Sequence, residues 1–231
     1  MAAPLPALSA ETLDVSIVRA SIERSLRSRL ERFRGTVLDV GAGNQPYRQL
    51  LLDPPSKAAK YVALDLAASV YSSPDLVWDG VTMPLESESV ACALATELFE
   101  HCPDPELVMR EIFRVLEPGG FLFFSVPFLW PLHDVPADEY RYTPFSLRRH
   151  LTGSGFVDVE LDALGGWDAS LAQMLALWAR RRPMSTRTRR LLSAAALPVI
   201  RGLLARDRPP TEFADGAMLT GLAGTASKPS R

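Results

Sequence analysis

The chain has 231 residues, 47% hydrophobic and 23% charged, with 25 Lys plus Arg against 27 Asp plus Glu and a formal net charge of −2. With a mean hydropathy of +0.05, it suits a globular protein able to bury a sizeable core and excludes collagen-like, low-complexity and disulfide-scaffold chains. Its two cysteines, Cys92 and Cys102, are too few for a disulfide framework and lack zinc-site spacing, which implies a reducing, cytoplasmic setting.

The first 30 residues carry neither a basic leader nor a continuous apolar run, so no signal peptide is expected. Both ends of the chain are expected to fray. Over residues 11–33, Leu13, Ile17, Ile22, Leu26, Leu30 and Phe33 recur at helical intervals with charges between them, which predicts an amphipathic leading helix within a cap over 1–34. From Thr36 the pattern changes to short apolar runs, each ending near an acidic residue or a glycine: TVLDVGAG, YVALDL, LVWDG, VACALAT and GFLFFSVP. Runs of that length suit strands buried on both faces. The segment PELVMREIFRVLEPGG between the fourth and fifth runs predicts a helix with Leu107, Met109, Ile112, Phe113 and Leu116 on its apolar face, stopped by Pro118 and two glycines. A polar linker follows, then a helix start at Thr143-Pro144 and a sixth strand, FVDVELDAL. Residues 166–208 predict a helical insertion broken at Pro183, and MLTGLAGTAS predicts a seventh strand at the end of the sheet. Alternating strands and helices imply an α/β domain over 35–231, a Rossmann-like, doubly wound, mostly parallel seven-stranded sheet with right-handed crossovers.

The sharpest local signal is Val37-Leu38-Asp39-Val40-Gly41-Ala42-Gly43-Asn44, a buried strand running into a glycine-rich turn. In an open parallel sheet, ligands bind beyond the carboxyl ends of the strands, where glycine lets the backbone approach closely. The same glycines would also serve a tight strand-to-helix turn with no ligand. A dinucleotide fingerprint wants a third glycine where this loop has Pro46, and Asp39 would face a pyrophosphate unfavourably. A nicotinamide-dependent oxidoreductase is therefore disfavoured, and a ligand with a cationic head fits better. Asp65 ends the second strand, where a carboxylate accepts from both ribose hydroxyls, and Asp79-Gly80 ends the third, within reach of an adenine amine. A lone aspartate in such a place is more often a helix cap. Three at successive strand ends argue together for an adenosine-bearing ligand.

These residues carry a resemblance. VLDVGAGNQPYR, YVALDL, WDGVTMPLESESV, TELFEHCPDPELVMREIFRVLEPGGFLFFSVPF and RYTPFSLRRHLTGSGF, over residues 35–162, resemble in order the motifs of class I S-adenosylmethionine-dependent methyltransferases, above all the type 11 group. The resemblance implies S-adenosylmethionine as cofactor. Asp39, Gly41 and Gly43 would line its methionine end, Asp65 would hold the ribose and Asp79 the adenine, with Leu66 and Gly80 beside them. Glu97 and Leu98 would stand near the sulfonium. The family often has a further glycine where this chain has Gln45.

Methyl transfer needs positioning more than a fixed triad, and a general base only when the acceptor is a hydroxyl or a protonated amine. Glu97 and His101 are four apart and would pair on a helical turn, raising the histidine pKa; alternatively His101 caps a helix or orders the loop before Pro103. His133, in the linker, is the second candidate base. Tyr140 and Arg141 there are candidate acceptor contacts, or else Arg141 and Tyr142 pin the linker to the sheet. The spacing of histidines and carboxylates matches no familiar metal motif, so no metal is assigned.

From Arg180 to Arg208 nine arginines meet a single acid, Asp207, a local charge of +8 that leaves −10 on the remainder. Such a segment packs against the sheet, forms a homodimer contact, or meets an anionic membrane or lipid carrier at the inner face; no aromatic-interleaved platform supports nucleic acid. The sequence thus reads as a methyltransferase acting on an oxygen of a small molecule, sugar or lipid-linked glycan. The alternatives are a non-catalytic methyltransferase-like binding protein and the oxidoreductase.

Overall fold

The computed structural model describes residues 6–67 and 73–230. Seven strands form one sheet in the order β3-β2-β1-β4-β5-β7-β6. These are β1 (Arg34–Val40), β2 (Lys57–Leu66), β3 (Leu76–Trp78), β4 (Val90–Thr96), β5 (Leu116–Pro127), β6 (Val157–Ala163) and β7 (Gly221–Ser227). The first five pair in parallel, and β7 runs antiparallel to both its neighbours. β7 is therefore not at the end of the sheet, as the chain order suggested. It threads between β5 and β6, pairing Phe121–Pro127 with residues 227–221 in continuous register. A run of Gly and Ala leaves its flanks open to bulky neighbours such as Phe124.

Alternation along each strand divides the core. Leu38, Val62, Leu64, Leu122 and Phe124 face α3 (Pro105–Val115) and α4 (Pro144–Gly153). Val37, Tyr61, Cys92, Leu94 and Phe123 face α1 (Leu13–Arg27) and the short α2 (Arg48–Leu52). All six apolar positions expected to bury the leading segment are buried. On α3 the apolar face is rotated from the expected one: Val108, Met109, Ile112 and Val115 are buried, Leu107 and Phe113 only partly. Pro118 lies within β5 and does not end the helix, which stops at Val115. Asp104 caps its start by accepting from Leu107 N–H at 3.0 Å, and Thr143 closes a capping box with Ser146 ahead of Pro144.

The insertion is α5 (Trp167–Arg181) and α6 (Thr186–Arg206), packed on each other and on Leu13 and Ile17 of α1. Asp14 clamps α5, accepting from Arg181 Nε at 2.6 Å with Arg180 Nε at 3.5 Å. Two of the nine arginines are thus paired with Asp14. Near the ends of the described residues, Thr12 Oγ1 donates to the Ala7 carbonyl, and Lys228 Nζ donates to the carbonyls of Phe113 and Leu116 at 2.9 and 2.7 Å. Residues 1–5 of the expected cap lie outside the described residues.

Candidate functional site

Strand order reverses between β1 and β4, and a cavity of about 960 Å³ opens there beyond the carboxyl ends of β1 to β4. This is the place an open α/β sheet leaves for a ligand. The volume is at the top of the usual range of about 300–1,000 Å³ for small-molecule sites. Gly41, Gly43, Asp65, Leu66, Asp79, Gly80, Glu97 and Leu98 all line it.

Gly41 turns the chain with φ +71°, and a Cβ there would meet Leu98 Cδ1 at 2.7 Å. The positive φ favours glycine, while the contact is with the mobile end of the Leu98 side chain. Gly43 donates its N–H to Asp65 Oδ2 at 2.9 Å, which ties the turn to the tip of β2. Gln45, in place of the further glycine, adopts φ +53° and accepts from Arg48 at 2.7 Å. Asp79 Oδ1 accepts from Val81 and Thr82 N–H, both at 2.8 Å, so it caps a turn while lining the cavity. Those two bonds hold its pKa below the usual carboxylate value.

Asp39 is placed differently from the expectation. On β1 it shares a face with Val37, so its side chain points at Tyr61 of β2, whose hydroxyl donates to Oδ2, and it does not line the cavity. It is 2% exposed, and burial pushes its carboxyl up to about 7. Its Oδ1 has no hydrogen-bond partner among the described residues.

The expected Glu97–His101 pair does not form. Glu97 has φ +52° and the next turn, Phe99–His101, is 3₁₀, so the helical i,i+4 relation is lost. Glu97 instead accepts from Ser125 Oγ at 2.9 Å, and burial raises its pKa. Glu100 is fully buried, with burial and then the charge of Glu97 holding its pKa well above the carboxylate range.

His101 and His133 both line the cavity, their ring centroids 4.7 Å apart in an edge-to-face pair. His133 Nδ1 lies 3.3 Å from Asp138 Oδ2. Burial lowers the His133 pKa against the pull of Asp138, the reverse of an ion-paired histidine. Arg141 does not reach the cavity: it grips both oxygens of Asp138, at 2.7 and 2.9 Å, and holds that carboxyl at about 2. Tyr140 is also turned away, donating to the Pro103 carbonyl at 3.1 Å and stacking on Tyr142. Tyr142 donates to the Phe99 carbonyl at 2.9 Å. The linker is thus pinned to the Phe99–His101 turn, and its polar residues are structural apart from His133 and Asp134.

Several lining residues carried no signal in the sequence. Val15, Val18 and Arg19 bring α1 over the cavity, and Trp130 and Arg181 meet at its rim with the guanidinium 5.6 Å from the ring centroid. Nothing in a helical period says what lies opposite, so these contacts appear only in three dimensions.

Residues 38–124 match the methyltransferase domain family of type 11. The chain is 30% identical over 187 residues to a malonyl-[acyl-carrier protein] O-methyltransferase of Methylococcus capsulatus, a match covering 70% of this chain and 68% of that one. It is 32% identical over 148 residues to malonyl-[acyl-carrier protein] O-methyltransferase 1 of Coxiella burnetii, covering 59% of this chain and 52% of that one, about half its length. A crystal structure of an S-adenosylmethionine-dependent methyltransferase from Archaeoglobus fulgidus shares the fold with a TM-score of 0.55 at 16% identity, over 92% of this chain and 93% of that one.

Proposed function

The chain belongs to the class I S-adenosylmethionine-dependent methyltransferases, and from that premise we propose that it transfers a methyl group to an oxygen of a small acceptor held in the same cavity. The observation that carries the reading is the cavity at the switch point, with the glycine turn, Asp65 and Asp79 on one side and His101 and His133 on the other. The residues fit the cofactor. Gly41 to Asn44 bring bare backbone to the wall, Asp65 stands where ribose hydroxyls are held, and Leu66, Trp78 and Val108 offer apolar surface beside Asp79 for a purine. When bound, S-adenosylmethionine supplies an activated methyl on a sulfonium, so the chain must position, desolvate and manage a proton.

His133 is the group best placed to take that proton. Its ring lines the cavity with Nδ1 3.3 Å from Asp138, and burial lowers its pKa, so the imidazole is neutral near pH 7 and able to accept a proton. An oxygen acceptor is supported by this base and by relatives named as O-methyltransferases. We favour a hydroxyl of a small molecule, a sugar or a lipid-linked glycan. The test is methyl transfer from labelled cofactor to a panel of hydroxyl, carboxyl and amine acceptors: label in an alkali-stable ether or an alkali-labile ester supports an oxygen acceptor, the ether a hydroxyl in particular, and label only in amines overturns it.

One surface supports delivery from a membrane. Trp167, Leu171, Met174 and Trp178 form an exposed stripe along α5, with Arg182 over Trp178 at 4.3 Å. Arg181 and Trp130 continue it to the cavity rim. No helix among the described residues is long and apolar enough to cross a membrane, so the contact would be interfacial. Co-sedimentation with anionic but not neutral vesicles, lost in Trp167→Ser with Trp178→Ser, supports it; no sedimentation with either overturns it.

A further inference from the structure

We propose that Glu100, His101 and His133 bind a divalent transition-metal ion at the wall of the cavity. One ligand-capable atom from each lies within 4.8 Å of the others, and His101 Nε2 is 3.8 Å from Glu100 Oε1. Nitrogen and oxygen ligands at about 2.0–2.1 Å from one ion stand about 3.3–3.4 Å apart in a tetrahedral site, so the three side chains would draw together by about an ångström on binding.

Two observations independent of that proximity point to a ligand. The first is Glu100: it is fully buried, and neither carboxyl oxygen has a hydrogen-bond partner among the described residues. Its backbone carbonyl is used, accepting from Glu139 and Tyr140 N–H, but its side chain is not. Native folds rarely leave a buried carboxyl unengaged, because nothing there replaces the water it has lost. Glu97, one turn away, is engaged by Ser125 and does not compete.

The second is the way both imidazoles are held. His101 Nδ1 is 3.1 Å from the Ala137 carbonyl, and His133 Nδ1 is 3.3 Å from Asp138, itself 1% exposed and gripped by Arg141. His101, its Nδ1 at a carbonyl, would ligate through Nε2, as metal-binding histidines so oriented do; His133 is held by its backbone N–H on Asp138 at 3.2 Å, and its buried Nδ1 has no hydrogen-bond partner among the described residues. The linker residues that do not touch the cavity therefore act on it at one remove, since Arg141 fixes Asp138 and Asp138 fixes His133.

Two imidazoles and one carboxylate suit zinc, manganese, iron(II), cobalt or nickel better than calcium or magnesium. Both histidines face the cavity, so the remaining coordination positions are open to an incoming oxygen, as in catalytic and not structural sites. On the methyltransferase reading, a bound ion would itself make an acceptor hydroxyl more acidic, replacing His133 as the proton acceptor, since a ligating imidazole cannot take the proton, and that proton would pass to solvent. Metal binding itself does not depend on that reading.

The test is titration of tag-free, chelator-treated protein with Co²⁺, followed by visible absorption and calorimetry with no cofactor or acceptor present. One equivalent of Co²⁺ with a ligand-field band is expected, lost in His101→Ala and in His133→Ala. Glu100→Gln and Asp138→Asn should weaken it by about tenfold or more. His150, held by Glu106 outside the cavity at 3.0 Å, serves as control, and His150→Ala should bind like the parent. Circular dichroism checks that each variant is folded. No band in the parent, or a band that persists in both folded histidine variants, overturns the proposal. Cofactor binding without Co²⁺ binding leaves the methyltransferase reading standing and removes the metal; Co²⁺ binding without methyl transfer does the reverse.

Discussion

Asp65 Oδ2 accepts the N–H of Gly43 at 2.9 Å, so the tip of the second strand and the glycine turn of the first form one unit on the cavity wall. The carboxylate holds the turn and, on the proposed reading, would also present acceptors to a ribose, so Asp65→Ala would remove both contributions. It should weaken S-adenosylmethionine binding by more than about tenfold, the scale of one or two lost hydrogen bonds to a charged group. Calorimetry on a variant whose circular dichroism is unchanged measures this, and an unaltered Kd sinks the assignment.

Gly41 sits where a side chain would be strained. Its φ is +71°, and a Cβ would stand 2.7 Å from Leu98 Cδ1. Gly41→Ala should cost about 1–3 kcal/mol in strain, lowering Tm by about 2–4 °C for each kcal/mol in a chain of this size. Leu98→Ala combined with it relieves the clash but not the backbone strain, so recovery should be partial. Full recovery would show that the positive φ carries no cost.

Asp39 gives a pH dependence with a definite sign. Its carboxyl titrates near 7 in the folded chain against an ordinary value of 3.8, so between those values the native state holds the proton and the unfolded state does not. The stability this contributes is complete below about pH 4 and is lost as pH rises through 7, by about 4 kcal/mol at most. Asn at position 39 still accepts from Tyr61 but does not titrate. Urea midpoints of ligand-free protein should therefore show Asp39→Asn gaining on the parent from pH 5 to pH 8; a constant gap refutes the shift.

His133→Ala should lower kcat by about 10²–10⁴-fold, the range for a lost proton-handling group, while S-adenosylmethionine affinity changes little. Equal losses in both would assign His133 to the architecture of the linker.

Much of this was legible in the chain. The apolar runs ending at Asp65, Asp79 and Glu97 mark buried parallel strands, and the carboxyl ends of such strands are where a ligand sits. What could not be read depends on neighbours far away in sequence. The insertion of β7 between β5 and β6 is decided by pairing across a hundred residues. Asp39 turns to Tyr61 because of its face on the strand, and Glu97 leaves His101 because one positive φ breaks the helical register. Arg141 was visible as a charge in the linker, but its partner Asp138, three residues earlier, consumes it. Glu100 gave no signal, because its proximity to His133 depends on a distant segment folding back over it.

Parallel calorimetric titration of the purified protein with S-adenosylmethionine, S-adenosylhomocysteine and NADH tests the central claim most directly. The two adenosyl-sulfur ligands should each bind with one equivalent, weakened in Asp65→Ala, and NADH should not bind. Binding of NADH alone, or of none of the three, would contradict it.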